Sequence, residues 1–141
     1  MADAFLHAVK VGDLTLVQEM LTGDPALVTT RDGHGVSALM WAAYHGHPSV
    51  LDALHGAHPG LDVFEAAIVG DADLLRRHLA ADPTGATAVS PDGFTALGFA
   101  AYFGHPEAAL VLLEAGADPN RLSSNPIGAS PLHSALSGGY I

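Results

Sequence analysis

Nine histidines are the residues of this chain that most invite a chemical role. The densest group is His45, His47, His55 and His58, and imidazole is the commonest protein ligand for transition metals. A metal site would also need a carboxylate or thiolate at a ligand spacing. The chain has no cysteine, and neither H-E-x-x-H nor a comparable pattern occurs. His45 and His47 flank the end of an expected helix and should point apart, so no metal site is expected. Ser130 and His133 lie three apart, as a nucleophile and its base could, but no third residue is placed to orient the histidine. There is no G-x-S-x-G elbow and no glycine-rich phosphate cradle. The expectation is a non-enzyme with no catalytic residues, no cofactor and no metal.

The elements that carry these residues are repeated. Residues 3–58 and 61–116 align without a gap at an offset of 58, with 20 of 56 positions identical. A shorter motif recurs within each copy, as Ser37-Ala38-Leu39-Met40-Trp41-Ala42-Ala43-Tyr44-His45-Gly46-His47 and Thr95-Ala96-Leu97-Gly98-Phe99-Ala100-Ala101-Tyr102-Phe103-Gly104-His105. Ser37 and Thr95 suit helix N-caps, because their hydroxyls accept from amides left without partners at a helix start. The glycines Gly12, Gly46, Gly70, Gly104 and Gly139 stand where a helix ends with φ > 0. Pro48 and Pro106 then fall in the first turn of a second helix, where a missing N–H costs nothing. The second helices are predicted at Leu14–Leu21, Pro48–Leu54, Ala72–Leu79 and Pro106–Leu113. Asp32-Gly33 and Asp92-Gly93 suit tight turns. Trp41 and Phe99 fall one helical turn from the small Ala positions and are assigned to the core between repeats.

Composition narrows the function classes. Fifteen Asp and Glu oppose five Lys and Arg, a net charge of −10. Nucleic-acid binding requires a basic stripe, so it is not expected. No apolar run reaches the ~18 residues of a membrane helix, and Met1–Phe5 does not open a signal peptide. A cytoplasmic location and no membrane contact are therefore the expectation. The acid excess favours solubility and a basic partner.

The motifs resemble those of ankyrin repeats. Ser130-Pro131-Leu132-His133-Ser134-Ala135 is similar to T-P-L-H-x-A, with Ser for Thr, and the glycine intervals of 34, 34 and 35 are close to that family's roughly 33-residue period. Asp92-Gly93-Phe94-Thr95-Ala96-Leu97 resembles the finger and helix start. Leu112-Leu113-Glu114-Ala115-Gly116-Ala117-Asp118-Pro119-Asn120 resembles the second-helix exit. The resemblance covers nearly the whole chain and is most specific in its second half. It departs at repeats one and three, which lack the T-P-L-H start and leave through Asp24-Pro25 and Asp82-Pro83. The remaining interval, from Gly46 to Gly70, is only 24, so no β-finger is expected at Gly56–Gly60. The alternation of repeat types resembles small bacterial ankyrin proteins.

The resemblance implies an all-α, helix-turn-helix solenoid with short β-hairpin fingers. It implies a single domain over 1–141, with repeats at about 3–30, 31–60, 61–88 and 89–120 and a partial repeat at 121–141. It makes His47, His105 and His133 structural hydrogen-bonders. It also implies a non-catalytic protein-binding module whose concave finger and helix face meets a protein partner. That face would hold His34, Val36, Tyr44, His45, Asp92, Phe94, Tyr102, Phe103 and Ile127, with Ala129 beside the last. The other reading is a structural or regulatory subunit, or part of a longer array, that assembles or self-associates through an uncapped C-terminal end where Leu110 and Leu113 are left partly open. A small-ligand or metal binder is a third class, carried only by the histidines.

Overall fold

The computed structural model describes residues 2–58, 60–90 and 93–118. The chain divides into two compact units, Met1–Gly60 and Leu61–Ile141, each holding one copy of the duplication. Unit 1 contains α1 (Ala2–Val11), α2 (Leu14–Gly23), α3 (Ala38–Tyr44) and α4 (Pro48–Ala57). Unit 2 contains α5 (Val63–Val69), α6 (Ala72–Ala81), α7 (Ala96–Tyr102) and α8 (Pro106–Glu114). All four second helices begin at the residues the sequence indicates, and they run one to three residues longer at their ends.

Short polar side chains set the helix starts. Ser37 Oγ accepts from the Met40 N–H at 3.2 Å and Thr95 Oγ1 from the Gly98 N–H at 3.0 Å. Asp13 and Asp71 do the same for α2 and α6. Asp62 and Glu65 form a reciprocal capping box at the start of α5, each side chain accepting from the other's backbone N–H. Gly12, Gly46, Gly70 and Gly104 all have positive φ, so the helix-ending role read from their spacing holds. Pro48 and Pro106 lie in the first turn of α4 and α8.

The Asp-Pro exits make short 3-10 helices at Pro25–Thr29 and Pro83–Ala86, which the sequence reading had not assigned. Asp24 and Asp82 each turn a carboxylate onto an amide two residues ahead. The Asp82 carboxyl is held below its usual value by the Thr84 hydroxyl first and the Thr84 N–H second, against a smaller opposing desolvation.

Each finger is a single antiparallel bridge, Arg31 with Ser37 and Val89 with Thr95, and no longer strand forms among the described residues. The turns correct one detail. The left-handed residues are Gly35 and Gly93, which share the 58-residue offset; Gly33 is not one of them. Asp32 therefore corresponds to Ser90, and both side chains perform the same task, accepting from the N–H of Val36 and Phe94 respectively.

Within unit 1, Phe5, Val9, Val17, Ala38, Ala42, Val50 and Leu54 form the centre of the core, with Trp41 and Leu51 packed at its margin. Within unit 2, Ala66, Ile68, Leu75, Leu97, Phe99, Ala100 and Leu112 are buried. In both, fully buried alanines of the first helix let the neighbouring first helix approach. Phe99 is core as expected, whereas Trp41 is only half-buried because its indole N–H is turned toward the finger.

Candidate functional site

The end of α3 and the finger before it form a polar, aromatic surface on unit 1. Trp41 is its centre. Its Nε1 donates to Asp32 Oδ2 at 3.0 Å, which ties the helix to the finger. Tyr44 stands edge-on to Trp41 with centroids 5.9 Å apart, and the His45 ring lies 5.5 Å away. The ammonium of Lys10, from the end of α1, sits 4.3 Å from the Trp41 centroid. Asp32 Oδ1 accepts from the His34 and Val36 amides at 2.8 and 3.0 Å. Partial desolvation pushes the Asp32 carboxyl upward. The bonds from Val36, His34 and Trp41, with the attraction of His34, together outweigh it and hold the group below its usual value.

Unit 2 repeats this surface without the charges of Lys10 and Asp32. The positions of Lys10, Asp32, Trp41 and His45 are taken by Ile68, Ser90, Phe99 and Phe103. Phe64 and Phe94 pack on Phe99 at 6.3 and 5.6 Å, and Tyr102 meets Phe103 edge-to-face at 5.0 Å. Tyr102, at the end of α7, is 43% exposed.

The expected contact residues divide by unit and by depth. His34 and His45 are exposed and Tyr44 is half-buried in unit 1; Phe94 and Phe103 are half-buried beside Tyr102 in unit 2. Val36 corrects the expectation. It is 5% exposed, because its apolar side chain turns inward while its backbone closes the finger turn on Asp32. Asp92, Ile127 and Ala129 lie outside the described residues, as do Ser130 and His133. Lys10 and Asp32 were not picked out by sequence reasoning as members of this surface. Trp41 aligned with Phe99 was the available signal, since an indole in place of a phenyl ring adds a donor that needs an acceptor.

Four of the described histidines serve as backbone partners. His47 Nε2 lies 2.9 Å from the Lys10 carbonyl oxygen and His105 Nε2 lies 2.8 Å from that of Ile68. A carbonyl only accepts, so each ring donates from Nε2. His78 Nε2 reaches the Leu61 carbonyl at 2.7 Å, and His58 Nδ1 accepts from the Gly60 N–H. His45 and His47 do not point apart as expected; their rings lie parallel with centroids 6.3 Å apart, because His47 folds back toward α1. Among the described residues no group of three or more His, Asp or Glu is gathered where it could hold a metal ion. No helix among them is long and apolar enough to cross a membrane.

The comparisons agree with the repeated helix pairs and fingers. A family model described as "Ankyrin repeats (3 copies)" matches residues 63–141, and one described as "Ankyrin repeat" matches residues 34–63. The mouse protein "Ankyrin repeat and SAM domain-containing protein 6" is 35% identical over 112 residues, which is 79% of this chain and 10% of that relative. The chain thus spans about a tenth of that relative's length. With caps, left-handed glycines and bridged fingers in both units, and the two family matches covering residues 34–141, the chain belongs to the ankyrin-repeat family.

Proposed function

We propose that the chain is a non-catalytic, cytoplasmic protein-binding module that meets its partner through the finger and first-helix faces. Stacked repeats of this kind offer extended surfaces in place of a single deep pocket. The supporting observation is the exposed Tyr102 edge-on to Phe103, a preformed aromatic pair outside the core of unit 2. Tyr and Phe bury large area at low entropic cost, which makes them efficient anchors. His34, Tyr44 and His45 give unit 1 a second contact region. Asp92 and Ile127 belong to the same proposed face by their place in the repeat pattern. The acid excess favours a basic partner.

The test is capture of a partner with the wild-type chain and with a Tyr102→Ala/Phe103→Ala variant, alongside circular dichroism. Loss of the partner with an unchanged helical signal supports the reading. Loss of both together would place the rings in the core and refute it.

A second reading is assembly through α8. Leu110 and Leu113 are 56% and 41% exposed, where unit 1 has Asp52 and His55 at the corresponding positions. If this face drives assembly, light scattering over a concentration series shows a dimer that Leu110→Asp dissociates. A monomer at every concentration removes this reading.

A further inference from the structure

The backbone at the end of α1 is repeated at the end of α5, but the chemistry it presents is not. His47 pins the Lys10 carbonyl at 2.9 Å, as His105 pins that of Ile68 at 2.8 Å. The Lys10 side chain is then left to reach across the Trp41 face, with Nζ 4.3 Å from the ring centroid. Trp41 is held from several sides. Its N–H is fixed on Asp32, Tyr44 abuts its edge, and His45 lies against it. In unit 2 the corresponding residues are Ile68, Phe99, Ser90 and Phe103, with neither a cation nor a carboxylate among them.

We infer that Trp41, backed by Asp32, Tyr44 and His45, is a seat for the cationic side chain of a basic partner, lysine or arginine, and that Lys10 is its displaceable resident. The inference rests on the protein-binding reading and names the anchor that the partner supplies. Three observations carry it. A cation already occupies the indole face, so the ring is oriented to take one. Lys10 is only half-buried, and an exposed cation–π pair is worth only about a two- to five-fold preference, so a partner with further contacts displaces it. The chain's net charge of −10 concentrates cations near the surface and selects against acidic competitors.

Trp41 is the only tryptophan, so its emission reports this seat directly. The whole chain is titrated with tetralysine at low salt, with tetraglutamate as control. The expected result is a saturable change in emission with tetralysine alone. Lys10→Gln should tighten that binding about two- to five-fold, since it removes the resident competitor. Arg76→Gln deletes the same charge from a side chain that pairs with Asp73, and should change the affinity less than Lys10→Gln does. Trp41→Phe, followed by calorimetry, should weaken binding. Phe99 at the equivalent position indicates that the smaller ring fits, and circular dichroism verifies the fold.

An unchanged emission up to millimolar tetralysine overturns the inference. So does an equal effect of Lys10→Gln and Arg76→Gln, which would reduce the binding to general charge attraction. A silent Trp41 together with a protein partner lost on Tyr102→Ala/Phe103→Ala would refute the seat and leave the binding reading intact. A working seat with no loss in that double variant would keep the seat and remove Tyr102 and Phe103 from the contact face.

Discussion

His47 donates from Nε2 to the carbonyl oxygen of Lys10 across 2.9 Å, joining the turn after α3 to the end of α1. His105 and Ile68 repeat the bond in unit 2 at 2.8 Å. Each ring lies on a glycine: a Cβ on Gly12 would come within 2.6 Å of the His47 ring, and one on Gly70 within 2.5 Å of the His105 ring. A histidine, a bare glycine and a free carbonyl thus form one clamp between successive helix pairs within each unit.

The clamp sets the first expectation. His47→Ala or His105→Ala leaves a backbone acceptor without its donor and should cost about 1–3 kcal/mol. Gly12→Ala should cost more than Gly46→Ala. Both glycines have positive φ, worth roughly 1–2 kcal/mol of strain for alanine, but a Cβ on Gly46 meets nothing within 4 Å, whereas one on Gly12 strikes the imidazole. Urea midpoints of the four variants at a common m-value check the order. Equal losses at Gly12 and Gly46 would remove the ring contact from the account.

Leu112 and Leu110 lie two apart on α8 with opposite burial. Leu97 of α7 is buried with Leu112. Leu112→Ala and Leu97→Ala should each cost roughly 2–5 kcal/mol as core truncations. Leu110→Ala should stay within about 0.5 kcal/mol, as is usual for exposed substitutions. Denaturant unfolding of the three variants distinguishes core from surface.

Asp32 links finger stability to pH. Its carboxyl is raised by desolvation but lowered overall by the Val36, His34 and Trp41 hydrogen bonds. A folded-state value below the unfolded one means that the stabilisation is fully present above the ordinary carboxylate value of about 3.9 and fades as pH falls through the lower folded value. Asp32→Asn keeps an acceptor oxygen without the ionisation. It should flatten this part of the stability loss below about pH 4, measured by unfolding at a series of pH values. An unchanged pH profile would show that Asp32 contributes nothing to it.

Gly98 occupies the third position of α7 without a requirement for glycine. Its counterpart Met40 carries a fully buried side chain while making the same bond to the N-cap hydroxyl. A Cβ on Gly98 would sit 3.3 Å from Thr95 Oγ1, a contact that a small shift of the hydroxyl relieves. Gly98→Ala should therefore stabilise the chain by about 0.5–1 kcal/mol through helix propensity. A lower unfolding midpoint would show that the Thr95 contact does not relax.

Much of the architecture was legible because its signals are local. Ser37, Thr95, Pro48, Pro106 and the glycines at 12, 46, 70 and 104 each act on a neighbouring turn, so type and spacing settle where helices start and stop. The 58-residue duplication then carries one half's reading to the other. Side-chain depth was not legible. Val36 and Tyr44 both fall on the expected face, yet Val36 is buried and Tyr44 is only half so, since depth depends on how a finger folds over its helix. Gly35 carries the left-handed turn that Asp32-Gly33 seemed to offer, because Asp32 is engaged as acceptor for the residues ahead of it. The meeting of Lys10, Trp41 and Asp32 joins residues up to 31 positions apart. Neither periodicity nor spacing encodes it. It exists only because packing sets the end of α1 beside α3, where the charges and the indole fall within reach of one another.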